Sequence, residues 1–358
     1  MKICYFADGQ SIHTQKWCTH FAKLGHEVHL LTFRDCRIDN VHVHFLNIGI
    51  IASAGGNWRT LLTFRLIQRI LRKMKPDVFH AHYATSYGIT GALVNYHPFI
   101  ISGWGSDILI SPNSSRVLRF LLKRAFRRAD AITVVAKHMV QSVCDLGVKP
   151  EKIQVITHGI NTTLFYDQQV KKHDDFTLIC TRNLEPLYNH IQLIDAFEMA
   201  QKTIPQMKLR ILGDGSMRRE LEELVVARNL EEQIKFIGRV SQEEMAVELN
   251  KAHVFVTVST TDGDVVSLVE AIACGNYCIV SDIPANHNWI QSGVNGFFVP
   301  LFDASELAKT IEKTVCQYEE LKELSVDLNH SIIHSTGNWD KNMENAEMLY
   351  SQLIKNKK

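Results

Sequence analysis

Short apolar runs of four to seven residues alternate along this 358-residue chain with longer stretches whose apolar positions recur every three to four residues. The short runs, rich in β-branched residues, predict strands at 2–7, 27–33, 131–135 and 153–156, then at 207–212, 234–238, 254–258 and 277–281, with further strands opening the stretches 78–88, 99–107 and 176–189 before each runs into a loop. The periodic stretches predict helices at 11–24, 59–75, 116–128 and 265–274, with a polar helical region from residue 305 whose last helix covers 342–354. Strand and helix in strict alternation describe doubly wound parallel sheets, and this length suggests two such domains. The charged, polar segment 167–175 reads as the linker between them.

The clearest single unit is 254–282, VFVTVSTTDGDVVSLVEAIACGNYCIVSD. A buried strand leads into a polar turn, then into a helix that stops at Gly275, then into a second strand. Such a turn aims the free amides of a helix start, here around Gly263, Val265 and Val266, beyond the strand ends, where an anion is favoured. Two carboxylates, Asp262 in the turn and Glu270 eight residues later, suit acceptance of hydrogen bonds from sugar hydroxyls.

Composition changes the picture in one respect. Residues 1–165 hold 20 Lys and Arg against 9 Asp and Glu, a net +11, while the rest hold 19 against 29, a net −10. A basic half and an acidic half imply different partners. The basic charge gathers on 59–75 and on 116–128, RVLRFLLKRAFRR. Both read either as solvated faces or as docking surfaces for anionic lipid. Nucleic acid is disfavoured because no aromatic stacking platform accompanies the charge. The eight scattered cysteines lack any C-x-x-C pair and read as buried, reduced thiols. No metal site is expected: HVH at 42–44 and HAH at 80–82 have strand alternation, and no H-E-x-x-H is present. The first strand is too short an apolar run for a signal peptide, and no run of 18 apolar residues exists to span a membrane.

Other candidates sit at strand exits. Gly9 lies in the first strand–helix turn, without the G-x-G-x-x-G fingerprint of dinucleotide enzymes. His82 ends the strand of VFHAHYATSYG, a place where a histidine is structural by default. Asp107, in FIISGWGSD, either orients an acceptor hydroxyl or caps its own loop, the capping reading being preferred. Arg182 follows a strand and precedes a helix, the place for a fixed cation facing a diphosphate.

On these stretches the chain resembles the retaining glycosyltransferases of family 4, with the GT-B architecture: α/β, two Rossmann-like doubly wound parallel-sheet domains facing a central cleft. Asp262 and Glu270 match the two acids of the family's E-x(7)-E motif, with Asp in place of the first Glu. The resemblance implies that Glu270 holds the nucleotide ribose and that Asp262 lies at the donor-sugar hydroxyls. It implies that His82 stands beside the reacting sugar and that Gly9 approaches the donor phosphate or the acceptor, although a plain turn at Gly9 is an equal reading. It gives Arg182 the diphosphate and places the base against the backbone of Gly238, Arg239 and Val240. Two departures stand out: Trp104 replaces a histidine of the Gly-rich loop, and Tyr188–Asn189 stand where the family has a lysine.

The expected organisation is an acceptor-binding domain over 1–166, to which a helix at about 342–358 returns, and a nucleotide-sugar domain over 167–341. The implied activity is retaining transfer of a hexose or N-acetylhexosamine from a nucleotide sugar, a UDP-sugar ahead of a GDP-sugar, to a lipid-linked or polysaccharide acceptor. A sugar-nucleotide epimerase, a phosphorylase and a catalytically silent sugar-nucleotide-binding subunit are the alternatives. No cofactor or metal is expected, and the D-G-D at 262–264 is explained by the acid motif. The expected location is cytoplasmic, with peripheral contact on the inner face of the cell membrane.

Overall fold

The computed structural model describes residues 1–47 and 58–357, so the end of the expected last helix, at 358, lies outside the described residues. The chain forms two compact units, Met1–His158 with Asn342–Lys358, and Gly159–Lys341. The division falls eight residues before the boundary expected at 166/167. Ile160 and Phe165 are buried in the second unit's core, and Ile160 exchanges backbone hydrogen bonds with Gly337 and Trp339 at 2.7 and 3.0 Å.

The first unit holds a seven-stranded parallel sheet made of β1 (Lys2–Phe6), β2 (Glu27–Thr32), β3 (His42–Phe45), β4 (Val78–His82), β5 (Phe99–Gly103), β6 (Ala131–Val134) and β7 (Ile153–Val155), in the order β3-β2-β1-β4-β5-β6-β7. Helices cover both faces, so β4, β5 and β6 are buried along their whole length and read as continuous apolar runs rather than alternating ones. The chain reverses its direction of travel between β1 and β4. Right-handed crossovers therefore put the helix Ile12–Lys23 on one face and the helices Phe64–Met74, Ile89–Val94 and Arg116–Arg128 on the other. The region expected to be one helix over 59–75 is helical, but it starts as a 3-10 helix, Trp58–Thr63, and becomes α-helical only over Phe64–Met74. There the Thr63 hydroxyl donates to the Thr60 carbonyl.

The long helix Trp339–Asn356 places its last residues on the first sheet. Tyr350, fully buried, shares a hydrogen bond of 2.7 Å with His80 Nδ1 on β4. His80 Nε2 in turn meets the Ser102 hydroxyl at 2.7 Å. Asn342 donates to the Thr157 hydroxyl at 2.7 Å.

The second unit carries β8 (Thr177–Cys180), β9 (Lys208–Leu212), β10 (Ile234–Gly238), β11 (Val254–Thr257), β12 (Tyr277–Ser281) and β13 (Gly296–Val299), all parallel, in the order β10-β9-β8-β11-β12-β13. β13 carries no strong sequence signal, being four residues long and only half buried in its middle. It forms because Gly296 sits against the Cys278 carbonyl, where a Cβ would stand only 2.4 Å from that oxygen. The reversal point here lies between β8 and β11, and the exits of those two strands lie side by side.

The cysteines are all free thiols. Five are buried as the sequence suggests, but Cys36 and Cys144 are half-buried and Cys316 is exposed. Among the described residues no helix is long and apolar enough to cross a membrane.

Burial keeps several histidines neutral. His80 is pushed down to about 3, and His13 and His190 to about 4, in each case chiefly by loss of hydration around the charged form. An unfolded histidine takes its proton near pH 6.5, so acid favours the unfolded chain. The stability these residues contribute is complete above about pH 6.5 and is lost as pH falls from there toward 4. Thermal unfolding across that window should show a steadily falling midpoint that His80→Gln makes shallower; a midpoint independent of pH would contradict it.

Candidate functional site

Arg182 leaves β8 and lies 10 % exposed, with its guanidinium in contact on three sides. One terminal nitrogen is ion-paired with Asp262, from the turn after β11. The other donates to the Ser267 hydroxyl at 2.9 Å. The ring of Tyr188 lies against its face, 4.2 Å from ring centroid to Cζ. The N–H at Nε is buried and has no protein acceptor. Two of the five guanidinium N–H donors are spent in this way, which leaves capacity for a further oxyanion.

The helix Val266–Ala273 supplies the adjoining wall. Ser267 and Glu270 stand one turn apart on it, so Glu270 shares the side of the helix that faces Arg182. Glu270 is half-buried, with the neighbouring Val266 and Ala273, while Leu268, Val269, Ala271 and Ile272 fill the core. Val265 caps the helix in a non-helical conformation, and its own side chain offers no acceptor to the first amides. Two of the amides read from sequence as free are engaged in the structure. Gly263 donates to Asp262 Oδ1 at 2.8 Å, and Val266 donates to the Asp264 carbonyl at 3.1 Å. Asp262 is thus held on both oxygens, one by Arg182 and one by its own turn.

The loop carrying Arg182 is supported by residues that sequence reading leaves aside. Gly213, in the exit turn of β9, has φ +135°, and a Cβ there would lie 2.6 Å from the Arg182 carbonyl oxygen. At Gly215 a Cβ would lie 2.3 Å from the Leu184 carbonyl oxygen. Leu184 is bonded to this turn through Asp214 and Met217. The signal was present as the G-D-G of the strand exit, but only the fold shows what packs on it. The Arg182 charge also helps to lower the pKa of His190, after burial as the main cause.

Gly238 ends β10 with φ +87°, and its carbonyl accepts from the Gly213 amide at 2.8 Å. Arg239 is exposed and Val240 half-buried. The second unit therefore brings Arg182, Asp262, Ser267 and Glu270 together around two strand exits, with the β10 exit joined through Gly213.

In the first unit the candidates have different surroundings. His82 is 1 % exposed, neither ring nitrogen has a hydrogen-bond partner, and Tyr5, Trp17, His80 and Trp104 surround its ring. Burial holds it well below the usual histidine range. In this conformation it packs against other rings and is not presented to a ligand. Trp104 meets His82, His13 and His158 by ring contact. Gly9 is buried, its amide bonded to the Thr32 hydroxyl at 2.9 Å. The glycine is required because Cys36 Sγ would stand 2.4 Å from a Cβ. Asp107, fully buried, accepts from the amides of Ala84, Trp104 and Gly105 at 2.6, 3.0 and 2.9 Å, which makes it a cap for its own loop. Among the described residues no group of three or more His, Cys, Asp or Glu is placed to hold a metal ion.

Residues 2–136 match the family model described as glycosyl transferase 4-like, and residues 162–326 match that of glycosyl transferases group 1. An uncharacterised glycosyltransferase of Methanocaldococcus jannaschii is 25% identical over 335 residues, 91% of this chain and 90% of that protein. The alpha-monoglucosyldiacylglycerol synthase of Acholeplasma laidlawii is 24% identical over 326 residues, 83% and 80% of the two chains. Among solved structures, Anabaena HepE in complex with UDP superposes with a TM-score of 0.80 at 18% identity, covering 98% of this chain and all of that one.

The support given to the Arg182 loop by Gly213 can be tested directly. Gly213→Ala should lower stability by about 1–3 kcal/mol, the usual range for a strained backbone position. Denaturant unfolding measures it, and an unchanged midpoint would show that the loop does not need this approach.

Proposed function

The chain belongs to the family-4-type glycosyltransferases of GT-B fold, and from that membership we propose retaining transfer of a hexosyl or N-acetylhexosaminyl group from a nucleotide sugar. The observation that carries the proposal is the Arg182 guanidinium, held by Asp262, Ser267 and Tyr188 with Nε buried and unspent. In this reading the diphosphate oxygens meet the in-plane donors of the guanidinium, and the cation stabilises the charge that grows as the bond from the sugar C1 to the phosphate oxygen breaks. The acceptor oxygen forms its bond to C1 on the same face, and its proton passes to a phosphate oxygen of the departing nucleoside diphosphate. No protein nucleophile enters the scheme. Glu270, on the helix side that faces Arg182, takes the ribose hydroxyls. Asp262 serves the donor sugar, exchanging part of its bond to Arg182 for a sugar hydroxyl when the donor arrives.

A UDP-sugar is put ahead of a GDP-sugar because HepE, similar in fold, is described in complex with UDP. A lipid-linked or polysaccharide acceptor is favoured by the likeness to a diacylglycerol glycosylating enzyme and by the surface of the first unit. On the helix Arg116–Arg128 the outward stripe is Arg116, Val117, Phe120, Arg124 and Arg127, with Val117 69 % and Phe120 63 % exposed. The helix Phe64–Met74 lies on the same face of the sheet, since Gln68 and Arg128 both donate to carbonyls at the end of the helix Ile89–Val94. Its outward residues repeat the mixture: Arg65, Leu66, Arg69 and Arg72. Apolar side chains among guanidinium groups suit an anionic bilayer surface, with about 1 kcal/mol per basic residue near the lipid. The enzyme would then act as a peripheral protein at the cytoplasmic face of the membrane.

Two experiments test this reading. Thermal stabilisation by a panel of UDP- and GDP-sugars identifies the donor, and Glu270→Ala should weaken the selected nucleotide by about 1.5–3 kcal/mol in calorimetry, the range of a charged hydrogen bond. Undiminished affinity removes the ribose assignment. Vesicles of phosphatidylglycerol should pellet the protein at low salt while phosphatidylcholine vesicles do not. The triple variant R116E/R124E/R127E should stay in the supernatant, and equal pelleting of the two proteins would remove the membrane assignment.

A further inference from the structure

Tyr188 stands where relatives of this chain are expected to carry a lysine, and it does not replace that charge. It closes a short turn, Pro186–Tyr188, that is tied to the turn after β11: the Leu187 carbonyl accepts from both the amide and the hydroxyl of Thr260, at 2.9 and 3.2 Å. Asn189 follows in the left-handed region, φ 50°, and its side chain donates to Gln192 Oε1 at 2.6 Å. Both ends of the turn are therefore fixed, and the half-buried Tyr188 ring is set against the Arg182 guanidinium at 4.2 Å.

A stacked aromatic ring acts on a guanidinium differently from a second cation. It covers the π face, which donates no hydrogen bond, and leaves the in-plane N–H edge free for oxygen acceptors. It also removes water from one side of the ion and prevents rotation of the fork, without adding a positive charge that would need its own counter-ion. Asp262 and Ser267 occupy the two terminal nitrogens, and the ring fixes the plane in which all the donors lie.

We propose that Tyr188 is a positioning residue for the transfer: it sets the plane of the Arg182 guanidinium so that its in-plane donors meet the diphosphate as negative charge builds on the leaving group. This rests on the transferase reading above, in which Arg182 serves the departing nucleoside diphosphate. The ring does the positioning, and its hydroxyl has no part. Because the action passes through Arg182, Tyr188 has nothing to position once the guanidinium is removed.

The test is steady-state release of nucleoside diphosphate from whichever of UDP-glucose, UDP-N-acetylglucosamine and GDP-mannose the wild-type chain cleaves fastest. Tyr188→Phe and Tyr188→Leu are compared, each alone and combined with Arg182→Ala. Tyr188→Phe should stay within about twofold of wild type, whereas Tyr188→Leu should lose about tenfold in kcat with donor KM within about threefold, as for a cation–π contact shielded from water. In the Arg182→Ala background Tyr188→Leu should cause no further loss. Tyr188→Leu at parental turnover, a loss in Tyr188→Phe equal to that in Tyr188→Leu, or losses that multiply with Arg182→Ala would each overturn the inference while leaving the transferase reading in place. A wild-type chain that cleaves none of the three sugars would overturn both.

Discussion

The second unit depends on the meeting of one cation and one carboxylate at the exits of two adjacent strands. β8 and β11 are neighbours in the sheet although 73 residues of chain separate the end of the one from the start of the other. Their adjacency brings Arg182 onto Asp262. A guanidinium that is nine-tenths buried would be strongly unfavourable alone, and the ion pair, the Ser267 hydroxyl and the Tyr188 ring together make it tolerable. Everything around it serves that arrangement. Gly213 and Gly215 let the β9 exit approach the Arg182 loop, and Thr260 fastens the Tyr188 turn to the Asp262 turn. The site is a charged group stabilised by the fold, with a donor left over for a ligand.

The first unit solves a different problem. Its sheet interior contains polar groups, and three of them are satisfied in series: Tyr350 with His80, then His80 with Ser102. Because His80 is neutral, this chain adds no buried charge. It also ties the final helix to β4, so the last residues of the chain belong physically with the first ones. Outside that interior the unit presents guanidinium groups and apolar side chains on the same helices, a mixture that polar solvation alone does not explain.

Much of this was legible from residue order. Short uninterrupted apolar runs and period-three-to-four patterns locate most strands and the main helices, because a parallel sheet covered on both faces demands such runs. β13 escaped because four half-buried residues after a glycine turn carry no such run. The carboxylate spacing of Asp262 and Glu270 drew attention to a turn and a helix that the structure brings against Arg182. Sequence could not show that Asp262 spends both oxygens inside the protein, since its partner lies 80 residues away. Nor could it show that the amides of Gly263 and Val266 are already bonded. His82 illustrates the converse: its motif position suggests chemistry, while rings from β1, from its own strand, from the helix Ile12–Lys23 and from the loop after β5 bury it. Tyr188 looked like a missing lysine and proved to be a contact, visible only when the turn is in place.

The central claim is that Arg182 and Glu270 receive the two ends of one nucleoside diphosphate. A crystal structure of the chain soaked with UDP tests it most directly. The account predicts diphosphate oxygens within hydrogen-bonding distance of the Arg182 guanidinium and ribose hydroxyls on the Glu270 carboxylate. UDP bound elsewhere, with Arg182 still satisfied only by Asp262 and Ser267, would contradict it.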